Sequence, residues 1–105
     1  MKNWERMNKI ISYLGFAIKS KNIITGQTPL KRYDKSLYLI MVSHTASDNL
    51  KNLAKNLSLR HSCEYIVSNV ELSELTHIAD IKIIGLTDEN LSKAILNNKE
   101  KISIG

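Results

Sequence analysis

Between residues 7 and 19 the apolar side chains Ile10, Ile11, Leu14 and Ile18 recur at spacings of three and four, the stripe of an amphipathic helix. Gly15 interrupts that stripe at a cost of about 1 kcal/mol relative to alanine, which predicts a close backbone approach by a neighbouring element. The pattern then changes: 22–24 reads as a very short strand. Thr25-Gly26-Gln27-Thr28-Pro29 has the polar residues and early proline of a helix start, predicting a short second helix to about Tyr33. Residues 37–42 are an unbroken apolar run, as expected of a central strand buried on both faces. A third helix follows from a Thr45-Ala46-Ser47-Asp48 cap to about Leu59, carried by Leu50, Leu53, Ala54 and Leu57. A strand over 64–67 comes next, then a short helix over 72–77 opened by Ser68-Asn69-Val70-Glu71. An apolar strand over 81–86 precedes a last helix capped by Thr87-Asp88-Glu89-Asn90, with Leu91, Ala94 and Ile95 inward. Residues 1–6 and 99–105 read as loose termini.

Strands alternating with helices predict an α/β fold, a mostly parallel sheet between two helix layers. The strand at 22–24 stands before the regular alternation and is expected at an edge, paired antiparallel. A chain of 105 residues makes one domain, with no internal repeat or linker. No apolar run approaches the roughly 20 residues of a membrane span. Met1-Lys2-Asn3-Trp4-Glu5-Arg6 leads into an amphipathic stretch rather than the apolar core of a secretory signal, so a cytoplasmic location is expected. The single cysteine, Cys63, reads as a buried structural thiol.

Charge adds a direction to this picture. The net charge is +5, but it is uneven: residues 1–35 carry eight basic side chains against Glu5 and Asp34, and the other seventy residues are near neutral. An uneven positive field suits a polyanionic partner, because each phosphate neutralised by Lys or Arg releases counterions. Modest basicity that only aids solubility is the competing explanation.

The chain offers little for catalysis. His44, His61 and His77 are far apart, on loops or helix ends, and none has the spacing of a metal pair. Glycine fingerprints for nucleotides and a Gly-x-Ser-x-Gly nucleophile are absent. Glu71, Glu74, Asp88 and Glu89 stand at helix starts, where they offset the macrodipole. No enzyme activity, cofactor, metal or small-molecule substrate is therefore expected.

The second helix differs. Its amino terminus, with free N–H groups, is flanked in sequence by Lys19 and Lys21 before and by Lys31, Arg32 and Lys35 after. Gln27 and Lys31 are four apart and share a face, away from Leu30 and Tyr33. An amide beside a cation can read a base edge and hold the adjacent phosphate, although a polar helix face is more often simply solvated.

Leu14-Gly15-Phe16-Ala17-Ile18-Lys19-Ser20-Lys21-Asn22-Ile23-Ile24-Thr25-Gly26 resembles the opening of bacterial relatives of the L-seven-Ae ribosomal protein family, which carries a Leu-Gly-x-Ala, basic, aliphatic, Gly pattern. Ala46-Ser47-Asp48-Asn49-Leu50-Lys51 after the central strand, and 81–86 followed by Thr87-Asp88-Glu89, resemble the same family. The likeness spans about residues 7–97 and is closest to the YlxQ-type bacterial branch. It implies a three-layer α/β/α sandwich with a four-stranded mixed sheet and binding of kink-turn RNA, a bent duplex built on sheared G·A pairs. Where other members begin the second helix Gly-Thr-Asn-Glu, this chain has Thr25, Gly26, Gln27 and Thr28, with Lys31 at the following lysine. The amide and the lysine match. Thr28 replaces a carboxylate with one shorter hydroxyl and Pro29 is a further departure, so weaker or less selective kink-turn binding is implied. A second family contact comes from an apolar loop before the last strand, here Thr76-His77-Ile78-Ala79-Asp80, where Ile78 is either the apolar wedge or part of the core.

The resemblance and the charge pattern converge on a monomeric RNA-binding protein associated with the ribosome or translation. Gln27 and Thr28 are expected to read bases, and Lys19, Lys21, Lys31 and Arg32 to hold phosphates, with Thr25, Gly26 and Ile78 completing the surface. The rivals are a protein-interaction module of the translation apparatus and the recognition half of an RNA-modifying enzyme. A chain of this length leaves the latter no room for a catalytic half.

Overall fold

The structure, a computed structural model, describes residues 2–98, with side chains from Met7 onward; the tail over 99–105 lies outside the described residues. Helix α1 (Lys2–Lys19) leads into strand β1 (Ile23–Thr25), followed by α2 (Gln27–Arg32), β2 (Leu39–Ser43) and α3 (Asp48–His61). Then come β3 (Glu64–Ser68), α4 (Leu72–Thr76), β4 (Ile83–Leu86) and α5 (Glu89–Leu96). The elements match the periodic reading in kind and order. The first helix, however, begins at Lys2 rather than Met7, so 2–6 are not a loose terminus. Lys2, Glu5 and Arg6 are good helix formers and no glycine or proline stands among them, so nothing stops the helix.

The sheet order is β1-β4-β2-β3. β2 pairs with β3 in parallel, Leu39 beside Glu64 and Ser43 beside Ser68. β4 is antiparallel to both its neighbours: Leu86 faces Leu39 of β2 and Ile23 of β1. The sheet is therefore mixed, and a mostly parallel sheet is not what forms; the short edge strand is antiparallel as expected. The chain starts β4 from the end of the sheet where β3 stops: Ile83 stands beside Val42, and Val42 beside Val67.

Two apolar clusters cover the faces. On one, Ile10, Leu14 and Ala17 of α1, Leu72 and Leu75 of α4 and Ile95 of α5 pack on Leu39, Met41, Ile66, Ile84 and Leu86. On the other, Leu30 of α2 with Ala54 and Leu57 of α3 packs on Ile40, Val42 and Ile83. The period-two alternation of β2 sends Leu39 and Met41 one way and Ile40 and Val42 the other, and all five residues of the strand are buried. These are the three layers of an α/β/α sandwich.

The glycines depart from expectation. A Cβ on Gly15 would meet nothing within 4 Å, so no element approaches α1 closely there. The close approach is at Gly85, where a Cβ would lie 2.7 Å from Leu30 Cδ2 and 3.3 Å from Leu37 Cδ2. Both leucines are essentially inaccessible, so making room means shifting buried side chains. Gly26 is demanded by conformation: φ 90, ψ 157 lies where side chains are not tolerated, and it turns the chain from β1 into α2.

Opposite stability effects are expected at the two sites. Gly85→Ala should cost about 1–3 kcal/mol by overpacking, whereas Gly15→Ala should gain roughly 0.5–1 kcal/mol from helix propensity alone. Urea denaturation of the two variants checks both signs.

Candidate nucleic-acid interface

The start of α2 is held by backbone and by one side chain. Gly26 N–H donates to Ile83 O at 3.1 Å, anchoring the turn to the first residue of β4. Leu30, the buried residue of α2, fills the space that Gly85 leaves open. No side chain caps the helix, against the expectation of a polar cap; Gly26 occupies the cap position. The N–H groups of Gln27 and Thr28 thus have no partner among the described residues, and Pro29 has none to offer. Gln27, Thr28, Lys31 and Arg32 are exposed, while Thr25 and Gly26 are half-buried.

The register decides what lies nearby. Gly26 and the start of β4 are at the end of the sheet where β2 reaches Ser43. The loop preceding β4 arrives at that same end. His77 and Asp80 in it have positive φ, 60 and 61. Between them Ile78 donates its N–H to Thr76 Oγ1 at 3.1 Å. Ile78 is half-buried and belongs to neither apolar cluster.

Lys19 and Lys21 are elsewhere. Lys21 adopts φ 59 in the turn that ends α1, where Asn22 N–H reaches back to Ala17 O at 2.8 Å. The turn leads into Ile23 beside Leu86 and, across β4, Leu39. That is the opposite end of the sheet from Gly26, so Lys19 and Lys21 do not ring the start of α2.

The sequence reading missed a gathering of cations at this Leu39 end. Lys31 and Arg32 close α2, Arg60 closes α3, and Lys35 follows α2; the four line one cleft of about 530 Å³. Arg60 Nη2 donates to Lys31 O at 3.3 Å, joining the two helix ends. Arg60 is 29 residues from Lys31, and its only sequence signal is that of a last-turn cation. His61 beside it has its pKa lowered by burial and then by the Arg60 charge. The Cys63 thiol is half-buried and pushed up by burial and then by Glu64, an unreactive state.

At the Ser43 end a polar network ties three elements. Thr45 Oγ1 donates to Glu71 Oε2 at 2.6 Å, and Lys82 Nζ reaches Thr45 Oγ1 at 2.7 Å and Glu71 Oε1 at 2.9 Å. Thr45 is therefore engaged here, and Ser47 instead caps α3 by accepting from Leu50 N–H at 3.2 Å. The α4 start also departs from its expected local cap: Ser43 Oγ, across the chain, accepts from Leu72 N–H at 3.0 Å. Ser68 Oγ is taken up by Val70. Asp88 caps α5 as expected, accepting from Leu91 N–H at 2.9 Å.

Fold and surface together define a small α/β/α sandwich with an exposed, uncapped helix start at one end of its sheet and a cationic cleft at the other. No family model matches the chain, and no curated protein does. A solved structure of a protein of unknown function from Bacillus halodurans is similar, with a TM-score of 0.76 at 19% identity, covering 88% of this chain and 97% of that one. At that identity the likeness speaks to the fold alone. Among the described residues no helix is long and apolar enough to cross a membrane, and no three His, Cys, Asp or Glu side chains gather as metal ligands.

The Glu71 carboxyl is held below its ordinary pKa by the Thr45 hydrogen bond and then by Lys82. A carboxylate with a depressed folded pKa stabilises the fold above its unfolded value and loses that contribution as the pH falls through the folded one. Wild type and Glu71→Gln should differ in thermal midpoint at neutral pH, and the difference should shrink only once the pH has fallen below the ordinary carboxylate range. A difference that is absent at neutral pH, or that disappears before that range is reached, would contradict this assignment.

Proposed function

We propose that this chain binds structured RNA of the kink-turn type, as a monomeric cytoplasmic protein of the translation apparatus and without catalysis. It is read as a YlxQ-type relative of the L-seven-Ae ribosomal proteins. The observation that supports this reading is that the α2 start and the chain entering β4 after Ile78 lie at the same, Ser43, end of the sheet; these are the two contact elements that the resemblance implies. Gln27 and Thr28 present side chains and free N–H groups to base edges, with Lys31 one turn on for a phosphate. Ile78 is the apolar wedge. Lys19 and Lys21 serve RNA that extends to the far end of the sheet. A rigid, preformed surface suits RNA recognised by shape. A protein-docking role draws less support: among the described residues, the most exposed large apolar side chains, Phe16 and Leu59, stand on α1 and α3, on opposite faces of the sheet.

Titration against a kink-turn duplex and a control lacking its G·A pairs tests the proposal; equal affinities would remove the specific claim. Gln27→Ala should weaken the kink-turn complex by about 1–3 kcal/mol. Lys31→Glu should weaken both duplexes and lower the salt slope by about 1. Thr28→Glu, restoring a carboxylate, should widen the preference for the kink turn over its control. RNase-insensitive co-purification with ribosomal proteins would favour the protein-docking role instead.

A further inference from the structure

The cationic cleft has a neighbour. A second hollow of about 360 Å³ lies between the approach to β2, the start of β3 and α5. It shares Ser36, His61 and Ser62 with the first. The two differ in chemistry: one presents Lys31, Arg32, Lys35 and Arg60, the other Leu37, Tyr38 and Leu96. Asp34 lines the first half, Glu64 and Glu89 line the second, and Glu89 is paired with Lys93 at 3.3 Å.

The positive charge exceeds what the helix ends require. Each helix C-terminus carries at most about half a negative charge, so two of them with Asp34 offset roughly two of the four cations. About two remain. Among the described residues none of the four pairs with a carboxylate. The Arg60 bond to Lys31 O fixes the guanidinium at the cleft without neutralising it. In the shared wall, His61 Nε2 is buried with no hydrogen-bond partner, an unsatisfied group of the kind that needs an explanation. Tyr38 is 37% exposed and lines the second hollow.

We propose that the two hollows form one groove for an unpaired nucleotide of single-stranded RNA, its phosphates on Arg32, Lys35 and Arg60 and its base against Tyr38. A cationic track beside an aromatic platform is the combination by which unpaired strands are held. The groove is at the Leu39 end, so it deepens the RNA reading above, on which it rests, by adding a site for a strand that flanks the folded element.

The test is titration of the full chain with a labelled unstructured oligouridylate of about eight nucleotides, a length within single-strand site sizes, at several salt concentrations. Tyr38→Leu should weaken it roughly tenfold, and Tyr38→Phe, which keeps the stacking face, should bind like the parent. Lys35→Gln with Arg60→Gln, both at exposed positions, should weaken binding and lower the salt slope by about 1.4. A blunt kink-turn duplex should be indifferent to Tyr38→Leu. Oligouridylate that does not bind, or that binds Tyr38→Leu and the double variant as it binds the parent, overturns the groove; a duplex that still distinguishes G·A pairs leaves the RNA reading standing. Tyr38-dependent oligouridylate binding without kink-turn preference upholds the groove and removes the kink-turn claim.

Discussion

The surface of this protein depends on a missing Cβ in its central sheet. β2 and β4 are buried throughout, and wherever their side chains point, a helix must cover them. At Gly85 nothing points outward, and Leu30 and Leu37 occupy the space. A six-residue helix such as α2 has no stability of its own in water. Its position is set by the burial of Leu30 and the Gly26 bond to Ile83. The backbone positions of the exposed residues of α2 are thus set by core packing.

The direction of β4 then determines which segments meet. β4 runs against its neighbours, and its leading loop with Ile78 comes to the end of the sheet where α2 begins. A parallel β4 would have delivered that loop to the other end. The same geometry divides the charge: the amide and hydroxyl of Gln27 and Thr28 face one end, while Lys21, Lys35 and Arg60 belong to the other. The proposed roles follow that division, with base reading at one end and capture of an unpaired strand at the other.

Polar side chains at the Ser43 end hold the frame together. Glu71, Thr45 and Lys82 link the end of β2, the start of α4 and the start of β4, while the buried Ser43 hydroxyl satisfies Leu72 N–H. A buried N–H left unpaired would cost about 1–3 kcal/mol, so this cross-chain cap is part of what seats α4 on the sheet.

What the chain determined by itself is what depends on neighbours within a few residues. The 3–4 spacing of Ile10, Ile11, Leu14 and Ile18, the apolar run ending in Val42, the Asp88 cap and the short α2 with Gln27 and Lys31 on one side all follow from local periodicity and capping, which need no tertiary partner. The direction of β4, the cap from Ser43, the role of Gly85 rather than Gly15 and the arrival of Arg60 beside Lys31 were settled only on folding. Each depends on groups brought together from distant parts of the chain, and pairings at that range are selected by packing, which no local pattern records.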